Sequence, residues 1–308
     1  MKRIQDNLYY FEISKNNPEP QLDLNYFVIN REPKIREYLK NIKEIKETLI
    51  AIKKLKENKE SEEIVERYYQ KLFECLDDYS NCSELGCFMN ACDTTRDLVK
   101  KDFKSFKTVT NLYIQKRTID DRVPENWVQA IIDSNASRKK GKLGEYKLIR
   151  ILEKSGYKLV NNWEDFNANA KCVVSFSDKI FDVQGIRDKL KINIKTKNQD
   201  KMLDLLIKNR AKIFILEAKH LNVGGGEQNK QINELIKILE LKEAMKDISY
   251  IAFMDGTYSN KLLFESIPKR SKKLLKQRKQ IKKYLKNKKT DNFWVNTAGF
   301  EKLIADLG

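Results

Sequence analysis

Lys201-Met202-Leu203-Asp204-Leu205-Leu206-Ile207 and, after a short break, Lys212-Ile213-Phe214-Ile215-Leu216-Glu217-Ala218-Lys219-His220 decide the fold class of this chain. Both are apolar runs of strand length, and each carries an acid among its apolar residues. In the second run, alternation puts Ile213, Ile215, Glu217 and Lys219 on one face and Phe214, Leu216 and Ala218 on the other. Glu217 and Lys219 are then neighbours about 7 Å apart on one strand face. A carboxylate and an ammonium at the inner end of an apolar strand are costly unless paired or metal-bound, so the pattern marks a site.

Outward from these runs, short β-like stretches recur at Lys158 to Asn161, Cys172 to Phe176, Lys191 to Lys195, Ser249 to Met254 and Asn292 to Val295, separated by helical stretches. The long helical pattern Glu227 to Lys246 has Ile232, Leu235, Ile236 and Leu239 on its inner face, and Ala298 to Leu307 closes the chain as a short helix. The first 120 or so residues look different. Ile35, Leu39, Ile42, Ile45, Leu49 and Ile52 recur at three- and four-residue steps through Lys34 to Glu60, which predicts one long amphipathic helix. Ser61 opens a second, and Pro124 opens a third over Glu125 to Asn135. The expected organisation is α+β/α/β: a mostly helical region over 1–136, then a mixed-sheet domain flanked by helices over 137–308.

The 308 residues suffice for full cores without disulfides, and 41% hydrophobic content excludes wholesale disorder. Sixty-one Lys+Arg against 44 Asp+Glu leave +17, a field that draws polyanions before neutral metabolites. Residues 269–289 alone hold twelve Lys or Arg and no acid, with Leu274, Leu275, Ile281, Tyr284 and Leu285 interleaved. That pattern predicts a basic helix lying on the domain, with Lys272, Lys273, Lys282 and Lys283 as phosphate contacts. No apolar run approaches the roughly 20 residues of a membrane span, so no membrane partner is expected. The amino-terminal residues lack a secretory apolar stretch, and five cysteines fit reduced thiols; a cytoplasmic protein is expected.

A hard divalent cation needs oxygen ligands, and Asp204, Glu217 and the main-chain carbonyl of Ala218 can supply them, with Lys219 placed to orient or deprotonate an attacking water. This constellation resembles the PD-(D/E)xK nuclease superfamily, and among its members the type II restriction endonucleases. The resemblance is carried by Asp204, a gap of twelve residues, and Glu217-Ala218-Lys219, within residues 138–260. It departs from the motif in having Leu203, not proline, before the first acid. Asp182 and Asp188 are other upstream candidates for that acid; the short spacing from Asp204 suits adjacent strands, whereas Asp182 needs a 34-residue excursion. The resemblance implies Mg2+ as cofactor and hydrolysis of specific double-stranded DNA to 5′-phosphates. It also implies a cognate DNA methyltransferase in the same system. A repair or junction nuclease of the same fold and a non-catalytic basic nucleic-acid-binding protein are the alternatives.

Upstream, Glu145 aligns with Leu148, Ile149 and Leu152 on one helix face, and the resembling nucleases carry a Glu there that assists at the metal. Lys139, Lys140 and Lys142 precede it as phosphate contacts. Downstream, Gly224-Gly225-Gly226 lets a backbone approach a ligand, and Gln228 and Gln231 lie at the end of the next helix nearest the site. His220, the only histidine, supports the site and excludes multi-histidine chemistry within one chain. Cys75, Cys82, Cys87 and Cys92 lack the C-x-x-C spacing of structural zinc sites and read first as buried helix thiols. One metal centre per chain cuts one strand at a time, so a homodimer with twofold-related centres is expected. The helical region is the expected recognition or dimerisation element, its Ile35 to Leu55 stripe offering surface for pairing or for packing on the catalytic half.

Overall fold

The computed structural model describes residues 4–177, 179–192, 203–243, 247–263, 272–287 and 290–308. The chain opens with α1 (Asn7–Asn16), whose first turn is capped by the Asp6 carboxylate accepting from the Leu8 N–H at 2.8 Å. Six helices follow: α2 (Ile35–Glu57), α3 (Glu62–Glu74), α4 (Glu84–Ala91), α5 (Arg96–Val99), α6 (Phe103–Lys116) and α7 (Glu125–Ser134). The remainder runs α8 (Ser137–Lys154), β1 (Lys158–Leu159), α9 (Trp163–Ala168), β2 (Lys171–Ser175), α10 (Val183–Leu190), β3 (Leu205–Asn209) and β4 (Lys212–His220). It ends with α11 (Gly226–Ile238), β5 (Ile248–Asp255), α12 (Thr257–Leu263), α13 (Lys272–Leu285), β6 (Phe293–Val295) and α14 (Thr297–Leu307).

Internal contacts divide the chain into two compact units, Met1–Phe27 with Lys139–Gly308, and Val28–Arg138. The amino-terminal 27 residues therefore belong with the sheet, which corrects the expectation that 1–136 is one helical region. The reason is long-range: Asn7 Nδ2 donates to the Asn292 carbonyl at 2.7 Å, and Asn296 Nδ2 donates to the carbonyls of Ser14 and Asn17. These bonds join residues nearly the whole chain apart.

In the helical unit, Ile45, Leu49 and Ile52 of α2 meet Tyr69 and Leu72 of α3 and Phe106 and Tyr113 of α6. Ile35 and Ile42 meet Val128 and Ile132 of α7. The α2 stripe is thus spent inside its own unit and is not surface left over for pairing, which corrects that use of it.

The other unit is built on a six-stranded mixed sheet in the order β1-β2-β3-β4-β5-β6. β1 runs parallel to β2, β2-β3-β4 form an antiparallel meander, and β4, β5 and β6 are parallel. All eight residues of β5 are buried, as a strand covered on both faces requires. On one face Phe214, Leu216 and Phe253 pack with Leu148, Ile149 and Leu152 of α8 and Phe300, Leu303 and Ile304 of α14. On the other, Ile215, Tyr250 and Leu206 meet Phe166, Val183 and Ile186, while Ala252 and Met254 meet Ile232, Leu235 and Ile236 of α11.

Two element expectations change. Lys191 is the left-handed cap of α10 and Ile192 a buried core residue, so neither starts a strand; 193–195 lie outside the described residues, as do Lys201 and Met202. The helix after the glycines stops at Ile238, short of Lys246, because Asn292 Nδ2 takes up the Leu239 and Leu241 carbonyls there. Among the described residues no helix is long and apolar enough to cross a membrane.

Candidate active site

The β3–β4 pairing sets the site. β3 pairs with β4 up to Leu205–Leu216, and Asp204, the residue before β3, lies beside the last residues of β4. The Asp204 N–H donates to the Leu216 carbonyl at 3.0 Å, and its Oδ2 accepts from the Ala218 N–H at 2.6 Å. Glu217 is 2% exposed, and its Oε1 accepts from Lys219 Nζ at 2.6 Å. Asp182, the competing first acid, instead caps α10, accepting from the Gly185 N–H at 2.7 Å.

Electrostatics bind the acids into one cluster. Loss of water on burial, with the Glu217 carboxylate beside it, pushes Asp204 up to about 7; the Ala218 N–H and the Lys219 ammonium oppose the rise and Glu145 adds to it. Glu145, on α8, is itself held above the ordinary carboxylate value by burial, against the pull of Lys142. Glu217, Lys219 and Glu145 thus each act on Asp204, although α8 covers the face opposite Glu217. A strand residue's N–H and C=O leave the same edge, so the Ala218 carbonyl points to the Asp204 side with that N–H. The Asp204 and Glu217 carboxylates and the Ala218 carbonyl are oxygen donors of the kind a hard divalent cation takes.

A second cluster, missed in the sequence, adjoins the first. Lys147 of α8 is buried, and its Nζ donates to Asp23 Oδ2, Asp255 Oδ2 and Thr297 Oγ1, each at 2.7 Å, with Glu19 Oε2 at 3.8 Å. The Tyr26 hydroxyl donates to Asp255 Oδ2 at 2.8 Å. His220 follows Lys219 directly, stacks on Tyr26 with ring centroids 3.6 Å apart, and meets Asp255 Oδ1 through Nδ1 at 2.9 Å. Burial raises Glu19 above its ordinary value despite Lys147, and Lys147 stays above its own because Asp255 and Glu19 outweigh the burial that lowers it. Glu19, Asp23 and Asp255 are the one group among the described residues with three metal-capable side chains in a single ion's reach. Their centre already holds the Lys147 ammonium, all three of whose protons are engaged, so this cluster is a charge knot that ties the amino-terminal segment, α8, β5 and α14 together. The legible signal was a lysine beside the buried helix stripe, and an acid ending the apolar run of β5.

The remaining candidates are dispersed. Lys139, Lys140 and Lys142 are exposed on the first turns of α8, and Lys140 lines a cavity of about 210 Å³ with Tyr26, His220 and Asn222. Gln228 folds its side chain back toward Gly225, where a Cβ would lie 2.5 Å from Oε1; Gln231 is half-buried one turn on. Lys272, Lys273 and Lys283 are exposed on α13, whereas the half-exposed Lys282 leans over the Phe11 ring and toward Glu12 of α1. Of the basic segment, 269–271 and 288–289 lie outside the described residues. Cys82 is buried, Cys75 and Cys92 are half-buried and Cys87 is exposed, so burial of all four thiols does not hold. Comparison of the chain with family models, curated proteins and solved structures returned no match.

Proposed function

We propose that this protein is a Mg2+-dependent endonuclease of the PD-(D/E)xK type that cuts specific double-stranded DNA to 5′-phosphates, as type II restriction endonucleases do. The observation that carries the reading is the bonding of Asp204 to the end of β4, through its N–H to the Leu216 carbonyl and its Oδ2 from the Ala218 N–H, with Lys219 bonded to Glu217. The motif residues lie apart in sequence, and strand pairing makes them one cluster. The net charge of +17 supports a polyanionic substrate. A cytoplasmic homodimer accompanied by a cognate DNA methyltransferase belongs to the same reading.

Asp204, Glu217 and the Ala218 carbonyl would hold Mg2+, which when bound supplies positive charge to the phosphate in the transition state and acidifies water. The chain's own residues do the rest. Lys219, tethered by Glu217, orients the attacking water and stabilises the hydroxide character it gains. Glu145 adds negative charge behind Asp204 and so strengthens the hold on a cation. Water oxygen bonds to phosphorus, the bond to the 3′ oxygen breaks, and that oxygen takes a proton, leaving a 5′-phosphate and a 3′-hydroxyl.

The test is incubation of supercoiled plasmid with wild type and with Glu217→Gln, with Mg2+ or with EDTA. The expected result is discrete linear products from wild type in Mg2+ alone. Intact plasmid with wild type in Mg2+, across substrates bearing varied sequence, would overturn the reading.

A further inference from the structure

Helix α13 carries lysines at 272, 276, 279 and 283, spaced four, three and four residues apart, which on an α-helix is one straight row. All four are exposed, and among the described residues none forms an ion pair. They border a shallow groove of about 430 Å³ together with Leu275 and Gln280. Lys273 and Lys282, the other two lysines singled out from sequence, fall off this row, and Lys282 is turned to α1.

The row has a defined direction. Gln277 Nε2 donates to Asn233 Oδ1 at 2.9 Å, and Tyr284 is bonded to Glu240 through its hydroxyl. Both pairs are 44 residues apart, so α13 runs parallel to α11 and Lys272 comes level with Gln228. Gln228 is in the first turn of α11, a few residues after β4 ends at His220. The row therefore begins at the sheet end that carries Asp204, Glu217 and Lys219, and extends away from it for about 16 Å at 1.5 Å per residue.

We infer that the Lys272-Lys276-Lys279-Lys283 row is a track for the phosphates of one strand of duplex DNA, leading the duplex to the Asp204–Glu217 site. The identity of the polyanion rests on the nuclease reading above. Side chains one helix turn apart stand about 5–6 Å from each other, a spacing on the scale of neighbouring phosphates along one strand. An anionic membrane surface fits less well. Its binders keep an apolar helix face to bury in the lipid, whereas Ile281 and Leu285 of α13 are already packed with Ile232, Leu262 and Trp294.

The experiment compares the full chain with a variant carrying Lys272→Gln, Lys276→Gln, Lys279→Gln and Lys283→Gln. A charge-matched control carries Lys154→Gln, Lys158→Gln, Lys212→Gln and Lys237→Gln, exposed lysines at the opposite end of the sheet. Affinity for a short duplex is measured in Ca2+ over a range of salt, alongside vesicles rich in anionic lipid. The row variant should lose up to about 3.6 from the slope of log affinity against log salt, about 0.9 per contact, while the control keeps the wild-type slope within about one contact. Equal slopes for row variant and wild type overturn the track, as does a loss confined to vesicles. If Mg2+-dependent plasmid cleavage persists beside an unchanged slope, the track falls and the nuclease reading stands. If the slope drops but wild type cuts no DNA, the track stands and the nuclease reading falls.

Discussion

Asp204→Asn should make the metal-free protein more stable at pH 8 than wild type. The Asn carbonyl oxygen can still accept from the Ala218 N–H, which Asp204 Oδ2 now takes at 2.6 Å, so the substitution keeps the bond and removes the charge. Burial and Glu217 raise Asp204 from 3.8 to about 7, so the folded chain favours the protonated carboxyl. The stabilisation this group provides is complete below its ordinary value and is lost as pH rises through about 7, because the unfolded chain then holds a carboxylate at no penalty. A shift of about three pKa steps at 1.36 kcal/mol each gives on the order of 4 kcal/mol, and partial contact with water brings the expected gain to about 2–4 kcal/mol. For a unit of this size each kcal/mol moves the melting temperature by about 2–4 °C. Thermal unfolding of both proteins in EDTA, at half-unit steps from pH 4 to 8, reads this directly, since groups remote from Asp204 cancel in the difference. The gap should open from about pH 4, widen up to about pH 7 and stay level above it. A variant no more stable than wild type at pH 8, or a gap that does not change with pH, would refute the reasoning.

Further outcomes follow from the same geometry. Lys219→Ala and Glu217→Ala should abolish plasmid cleavage while retaining duplex binding within about threefold, because phosphate contacts elsewhere carry most of the affinity; gel-shift and cleavage assays on the same preparations check this. Ca2+ should support binding but not cutting, since its looser coordination positions water poorly, and product analysis in Ca2+ against Mg2+ tests it. Lys147→Met should cost about 3–5 kcal/mol in urea unfolding by leaving Glu19, Asp23 and Asp255 buried without their cation; a loss below 1 kcal/mol would contradict the knot. Light scattering of the DNA complex should give two chains, and linear plasmid should appear without accumulation of nicked circles; a one-chain complex that nicks first contradicts paired centres.

What the sequence made legible is what local pattern controls. The alternation through Lys212 to His220 identified β4 and the shared face of Glu217 and Lys219, and the 3.6-residue period of α2 gave its buried stripe. The short gap between the two apolar runs was legible as well, and it forms the β3–β4 hairpin. Contacts between distant parts of the chain were not. Nothing local in Asn7 or Ser14 announces their bonds to Asn292 and Asn296, so the amino-terminal segment was grouped with the wrong unit. The Lys147 knot was only partly legible: Lys147 and Asp255 sit beside apolar runs, but nothing local joins them to Glu19 and Asp23. On α13, composition and helical spacing revealed the charge and its row, but only the face buried against α11 shows that the row stays on the surface.

The central claim is that the Asp204–Glu217 pair, and not the Lys147 knot, takes the divalent cation. The most direct measurement is anomalous scattering from crystals grown with Mn2+ in place of Mg2+. The account predicts a peak within about 2.0–2.2 Å of oxygens from Asp204, Glu217 and the Ala218 carbonyl, and its loss in Glu217→Ala. A peak among Glu19, Asp23 and Asp255 with the first pair empty would contradict it.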